Sequence, residues 1–351
     1  MHDMIEEKHS QIPAAGAAPM LRDYWHIALA GSRLGKGPTA VRLLDQDLVL
    51  FRDVEGRAHA LLDRCCHRGV RLSLGKVTDE GRLACGYHGW EYGGDGRCLH
   101  VPSLPAGQRV SAAFQAPSFP CIEQHSYVWV WMGSGKPNPA TPPAIPGFDE
   151  HAWEQGVYSY DCEAFRLIEN QFDACHPTFT HVNSHPAYFA HRSAGFREYD
   201  FEVRTTDTGL VSFYPPTASP DEPMPVKASS WTTFDLPGRV VVYQRAFFIE
   251  FCSILHIVQT GPSSCRLEWL QRKRGEPSLT WVEEEPLIAT QDRIIESSQR
   301  WYDLCGDGFE RSVEADYPTL LIRKIFHQAL AGTWPAERDR FADRRLVHLR
   351  N

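Results

Sequence analysis

The sequence predicts an α+β chain in two parts: an all-β N-terminal domain, residues 1–145, and an antiparallel-sheet domain with helices at its ends, residues 146–351. Three observations carry this. Short apolar runs bounded by turn residues fill the first 135 residues. Gly135–Gly147 then places five prolines in thirteen residues. Proline fixes φ and donates no backbone hydrogen bond, so this stretch reads as a linker or extended crossover and marks the domain boundary. Beyond it, helix-like segments flank a series of strand-like runs, the order of an antiparallel α+β domain.

Taken in order, Val41–Arg52, His59–Asp63 and Ser126–Met132 are strands, rich in Val, Leu, Phe and Trp. Gly93-Gly94-Asp95-Gly96 is a hairpin turn, because glycine supplies the positive φ that such turns need. Ala164–Cys175 has helical composition and is stopped by Pro177. Strands follow at Gly209–Tyr214, Ser229–Phe234, Arg239–Ile249 and Cys252–Gln259. A helix runs from Glu284 to Tyr302 with Pro286 in its first turn, where a missing N–H costs little. The charged tail, Pro335–Asn351, is a surface helix or a loose end.

Composition narrows the class. A chain of 351 residues holds about two domains. With 42% hydrophobic and 23% charged residues it has enough apolar material for a core. A net charge of −8 argues against nucleic-acid binding, which favours a basic surplus. The acidic start, MHDMIEEKHS, lacks the apolar stretch of a secretory signal. The longest apolar run, Ala246–Val258, is interrupted by Glu250 and His256 and falls short of the ~18 residues of a membrane span. The expected location is the cytoplasm, where ten cysteines do not form a disulfide framework and need another explanation.

Cys65-Cys66-His67 and Cys85-Gly86-Tyr87-His88 give C-x-H, seventeen residues, then C-x-x-H, each followed by glycine-rich sequence. Two thiolates and two imidazoles hold one zinc, or a [2Fe–2S] cluster with Cys₂ on one iron and His₂ on the other. Zinc motifs group like ligands. Here each loop supplies one of each, which suits a two-iron rhomb gripped by two loops. A second group follows in IENQFDACHPTFTH: Asn170, Asp173, His176 and His181. Asp173 and His176, three apart, share a helix face. Two histidines with one carboxylate leave open positions on a non-haem iron.

These stretches resemble the Rieske non-haem iron oxygenases: the first pair of loops resembles the Rieske iron–sulfur domain, and D-x-x-H-x₄-H resembles the catalytic domain. The family often has proline where Cys66 stands, a departure that removes no ligand. The resemblance implies an N-terminal all-β Rieske domain and a C-terminal sheet folded around a long helix. It implies that Cys65 and Cys85 bind one iron of the cluster and His67 and His88 the other, with Val101–Pro105 as a lid loop. It implies that His176 and His181 bind a mononuclear Fe(II). The carboxylate completing that site is expected from the C-terminal helix. Asp292 is the candidate, because Ile288 and Ile295 lie at i−4 and i+3 and place it with the apolar face; Glu296, Glu285 and Asp316 are rivals.

The resemblance also implies that Asp173 links a cluster histidine to an iron-ligand histidine across a subunit boundary, in a head-to-tail homotrimer. Asn170, one turn earlier, would line the iron pocket. The expected reaction uses O₂ to monooxygenate a small organic substrate, by hydroxylation or by O- or N-demethylation, as in the demethylase and monooxygenase branch. Ring dihydroxylation, or electron transfer alone, is the alternative. No G-x-G-x-x-G follows a strand, so a separate NAD(P)H-dependent reductase, with or without a ferredoxin, supplies electrons. Neither nucleic acid nor membrane is an expected partner.

Overall fold

A computed structural model describes residues 20–139, 141–144, 153–181, 198–219, 230–246, 249–274, 281–299, 310–336 and 344–350. Three antiparallel sheets build the N-terminal half. Trp25–Ala30, Tyr127–Trp131 and Cys121–Gln124 form one. Thr39–Leu43, Gln46–Arg52, Ala58–Leu62 and Ser118–Phe119 form the second. The third, of four short strands from Lys76 to His100, carries the loop with Cys85 and His88; the loop with Cys65 and His67 follows Ala58–Leu62 of the second sheet.

Val41–Arg52 is not one strand. Leu44 and Asp45 turn the chain at φ of 46° and 63°, the signature of a two-residue hairpin with both central residues left-handed. Leucine is a poor residue for that turn, and tertiary contact overrides it. Leu44 is buried, and the backbone N–H groups of Leu44 and Asp45 donate to the carbonyls of Gln259 and Thr260 at 2.9 and 3.1 Å. The glycine-rich Gly93–Gly96 turn joins Glu91–Tyr92 to Cys98–His100 as expected.

The C-terminal half is an eight-stranded antiparallel sheet. Its order is Glu154–Tyr160, Ser264–Arg274, Ile249–Gly261, Arg239–Ala246, Ser230–Asp235, Gly209–Tyr214, Glu198–Thr205 and Arg344–Arg350. Helices α1 (Ala164–Asn170), α2 (His176–Thr180), α3 (Trp281–Ser298) and α4 (Tyr317–Leu330) complete it. α4 lays Leu321, Ile322, Ile325 and Phe326 against the sheet, a spacing of one and four that makes a single helical face. α1 is buried at all seven residues and joins the same core. Its charges are paired. Arg166 meets Glu169 and Glu310, and Arg323 of α4 meets the same two carboxylates.

The charged tail is neither helix nor loose end from residue 344. Arg344–Arg350 is the edge strand beside Glu198–Thr205, with Val347 and Leu349 buried and Leu346, His348 and Arg350 exposed. This is strand alternation, with period two. The strand is riveted by Glu202, which is fully buried and accepts from Arg344 Nε (2.8 Å), Arg204 Nε (2.6 Å) and the Thr217 backbone N–H (2.8 Å). Burial alone would raise its pKa, but the two guanidinium groups and Thr217 outweigh burial and bring it down to about 2. A depressed carboxylate stabilises the fold above its unfolded pKa of about 4.3, and that contribution is lost as pH falls toward 2. Glu202→Ala strands two cations, so a loss of about 3 kcal/mol in urea melts at pH 7 is expected. A loss below about 0.5 kcal/mol would show that the rivet is ornamental.

The two halves share their core. On Ile249–Gly261, Leu255 and Ile257 face the helices, while Ile254, His256 and Val258 face the N-terminal strands. Ile254 and Leu270 pack with Trp25, Ile27, Trp129 and Trp131, and Val258 with Leu43, Leu48 and Val128. This explains the longest apolar run of the sequence: the strand is buried on both faces. Tyr127 Oη donates to the Trp269 carbonyl at 3.1 Å, and Arg266 caps the Ile27 and Ala28 carbonyls. Residues 141–144, within the proline-rich stretch, are neither helix nor strand. Among the described residues, no helix is long and apolar enough to cross a membrane.

Candidate metal centres

The first centre is one turn built twice. Cys65 N–H donates to the Val70 carbonyl and Gly69 N–H returns to the Cys65 carbonyl, at 2.8 and 2.9 Å. Cys85, Trp90 and Gly89 repeat the pattern at 2.9 and 3.0 Å. Gly69 and Gly89 sit at φ of 73° and 69°, which other residues reach only with strain. Each loop thus holds a cysteine at its base and a histidine at its tip.

Cys65 and Cys85 are buried with their thiols in hydrogen-bond reach of each other, and the Tyr87 and His88 N–H groups point at the Cys85 sulfur. Such donors favour a thiolate. His67 and His88 are 4.8 Å apart between ring centroids, His67 stacked flat on Trp90 at 4.6 Å and His88 exposed. One tetrahedral zinc would gather all four ligand atoms to about 4 Å of one another. Among the described residues only His176, His181 and Asp292 bring three such atoms within 4.8 Å. The four loop residues set their sulfur pair inside and their imidazole pair outside. They fit a two-iron cluster with thiolates on one iron and imidazoles on the other.

The second centre comes from α1, α2 and α3. The helix expected over Ala164–Cys175 ends at Asn170, and Pro177 does not terminate it. Proline instead sits in the first turn of α2, where no N–H is missed. Asp173 and His176 therefore do not share a helix face. Asp173 Oδ1 accepts the N–H groups of Cys175 (2.8 Å) and His176 (3.1 Å) and so opens α2. His176 begins that helix and His181 caps its end, which brings the two rings to 5.3 Å.

α3 starts at Trp281 and stops at Ser298, so Pro286 lies beyond its first turn. Asp292 faces inward, but Ile288 is only half-buried and Ile294 and Ile295 are exposed; among the described side chains of the helix, the buried ones are Asp292 and Glu296. The helix buries its carboxylates, an arrangement that apolar periodicity does not reveal. A buried carboxylate requires a cation or strong donors. Of the rivals, Asp316 is at the start of α4, accepting the Val313 N–H, and the Glu285 side chain lies outside the described residues. Glu296 is one turn from Asp292. Burial and the Asp292 charge push its pKa up to about 8, and its Oε2 has no partner among the described residues.

Asp292 Oδ1 is 3.0 Å from His181 Nε2 and 3.8 Å from His176 Nε2. The opposite ring nitrogens are occupied. His176 Nδ1 lies 2.8 Å from the Asp173 carbonyl, and His181 Nδ1 lies 2.9 Å from Gln291 Oε1. Both partner atoms accept, so both Nδ1 atoms donate, which leaves the two Nε2 atoms beside Asp292 as the positions that would ligate a metal. Two neutral imidazoles and a carboxylate aimed at one point suit a divalent first-row ion. Burial lowers the His176 pKa, which keeps its ring neutral. At His181 burial works the same way, but the Asp292 carboxylate outweighs it and the pKa rises. Asn170 Nδ2 is 3.4 Å from Asp292 Oδ1, a long contact that closes the site from α1.

Gln291 was missed from sequence. The signal was present, since a glutamine beside the candidate carboxylate can reach a neighbouring helix. The aromatics Phe213 and Phe234 belong to the core, Trp231 stacks on Tyr243, and Phe247 and Phe248 lie outside the described residues.

Comparison with known proteins matches residues 24–120 to the Rieske [2Fe-2S] domain. The chain is 40% identical over 168 residues to chlorophyllide a oxygenase, chloroplastic, of Chlamydomonas reinhardtii, covering 47% of this chain and 25% of that protein. It is 34% identical over 172 residues to the vanillate O-demethylase oxygenase subunit of Pseudomonas sp. (strain HR199 / DSM 7063), covering 46% of each. The chain thus spans less than half of the length of either relative. The structure of Pseudomonas putida CBB5 NdmA superposes with a TM-score of 0.74 at 22% identity, over 89% of this chain and 91% of that one. This likeness extends the shared fold through the C-terminal half.

Proposed function

Residues 24–120 are a Rieske [2Fe–2S] domain in a chain with the two-domain fold of its solved relatives, and from that premise we propose that the protein is the terminal component of a Rieske oxygenase. One observation carries the proposal. The same chain that folds a Rieske domain also gathers half-buried His176 and buried His181 and Asp292 around one point. An electron carrier needs only the first.

When bound, the cluster supplies one-electron storage and the mononuclear iron supplies oxygen activation. The chain's own residues hold these functions in place. Cys65, Cys85, His67 and His88 would hold the cluster, and exposed His88 would give electrons a way in or out. Asp173 and Gln291 fix the tautomers of His176 and His181. Asn170 and the buried faces of α1 and α3 keep bulk water from Asp292. The Asp173 carboxylate uses only Oδ1 in capping α2. In the trimer we propose, its other oxygen would meet a cluster histidine of the next subunit. Exposed Tyr87, beside His88, and exposed Phe179, on α2, are the apolar contacts expected where such subunits meet.

The proposed reaction puts one atom of O₂ into a substrate C–H bond and releases the other as water, consuming two electrons and two protons. On an O-methyl or N-methyl carbon the product sheds formaldehyde. A cytoplasmic NAD(P)H-dependent reductase, with or without a ferredoxin, would supply the electrons. The test is purified protein with a generic reductase and a panel of methylated aromatics, N-methyl heterocycles and plain arenes, read by O₂ uptake and formaldehyde. Substrate-dependent uptake with formaldehyde is the expected result. Cis-diol products would turn the reading toward dihydroxylation, and colourless protein holding zinc would overturn it.

A further inference from the structure

The two cluster loops are alike in backbone and differ at their second position, Gly86 in one and Cys66 in the other. A Cβ at Gly86 would stand 2.8 Å from the Leu74 carbonyl oxygen, so that loop has no room for a side chain. Cys66 has room, and among the described residues it is the one exposed cysteine. Its Sγ lies 3.3 Å from the Tyr92 hydroxyl. Tyr92 is fully buried, and its Oη lies 3.0 Å from Cys65 Sγ while accepting the Cys66 backbone N–H at 3.2 Å.

A phenol has one proton. It can be donated to only one of the two sulfurs within reach of Tyr92 Oη. Cys65 as a cluster thiolate only accepts, so Tyr92 donates to Cys65. The phenol oxygen then accepts from Cys66. A hydrogen bond entering an oxygen strengthens the one leaving it. A hydrogen bond to a ligand sulfur favours the reduced, more negative cluster and raises its potential. We propose that Cys66 is a positioning residue for electron transfer: its S–H, acting through Tyr92, raises the potential of the cluster. This rests on the reading of Cys65, His67, Cys85 and His88 as the cluster ligands. Cys66 itself binds no iron.

The test is redox titration of the full-length holoprotein, read from the cluster's visible spectrum. Cys66→Ala is expected to keep that spectrum and show a lower potential, while Cys66→Ser, which keeps a donor, stays closer to wild type. In a Tyr92→Phe background the Cys66→Ala change is expected to produce no further shift. Should Tyr92→Phe fail to fold, a small thiol-alkylating reagent on the folded wild type replaces it. Capping is expected to lower the potential as Cys66→Ala does, and to leave the potential of Cys66→Ala protein where it was. An unmoved potential in Cys66→Ala, an undiminished shift without the phenol, or capping without effect would each overturn the proposal. Protein with no two-iron spectrum would instead sink the ligand assignment on which it rests.

Discussion

His176→Ala is expected to abolish substrate oxidation while leaving the visible spectrum of the cluster unchanged. The reason is geometric. His176 supplies one of three ligand atoms that lie within 4.8 Å of one another. Removing it leaves one imidazole and one carboxylate, too few to hold a first-row ion against water and buffer. The cluster loops belong to other sheets and to different hydrogen bonds, so their iron stays. Iron analysis is expected to fall by the mononuclear ion alone. The α2 helix survives, because its cap uses the residue 176 backbone N–H, which alanine keeps. Full activity in this variant would mean that the oxygen site lies elsewhere.

Asp173→Asn has the next largest expected effect, a fall in turnover of about 100-fold at unchanged metal content. The substitution separates two roles of one side chain. Asparagine Oδ1 can still accept the N–H groups of Cys175 and His176, so the α2 cap and the His176 backbone stay in place. The Asp173 backbone carbonyl still orients the His176 ring. What is lost is the negative charge, which the proposed subunit contact would present to a cluster histidine of the next subunit. Single-turnover kinetics from a pre-reduced cluster measure this directly. A wild-type rate in Asp173→Asn would remove Asp173 from the electron path, and Asp173→Ala, which loses the cap too, is expected to lose iron as well as rate.

Most of the chemistry was legible because metal ligands are rare residue types at fixed spacings. The proposed ligands stand out as two Cys/His loops seventeen residues apart and as His176 with His181; Cys98-Leu99-His100 repeats the C-x-H spacing but has no second loop to match it. Asp292 was singled out for a reason that the structure keeps only in part: Ile288 is half-buried, but Ile295 is exposed, and the buried neighbour one turn away is Glu296. Periodicity reads hydrophobic burial, and a helix that buries carboxylates inverts that signal. The break between α1 and α2 was not legible, because Ala164–Cys175 has helical composition throughout and only the side chain of Asp173, bonding back to the chain, ends it. Leu44–Asp45 hides its turn for a related reason, since contacts from residues 259 and 260 hold leucine where glycine would be expected. The edge strand at 344–350 was legible in its alternation, but its many arginines drew the eye to the surface. Glu202 is what takes those arginines in.

The strand buried on both faces bears on how such a protein can be taken apart. A cluster domain joined by a proline-rich segment looks like an interchangeable cassette. Here Ile254, Leu270 and Val258 are packed into N-terminal clusters, and Leu44 and Asp45 are bonded to the far sheet. A graft cut at the prolines would therefore sever a core. Recombination between relatives has a natural seam only inside the cluster loops, where two short turns and a handful of side chains can be exchanged and the weld beneath them left whole.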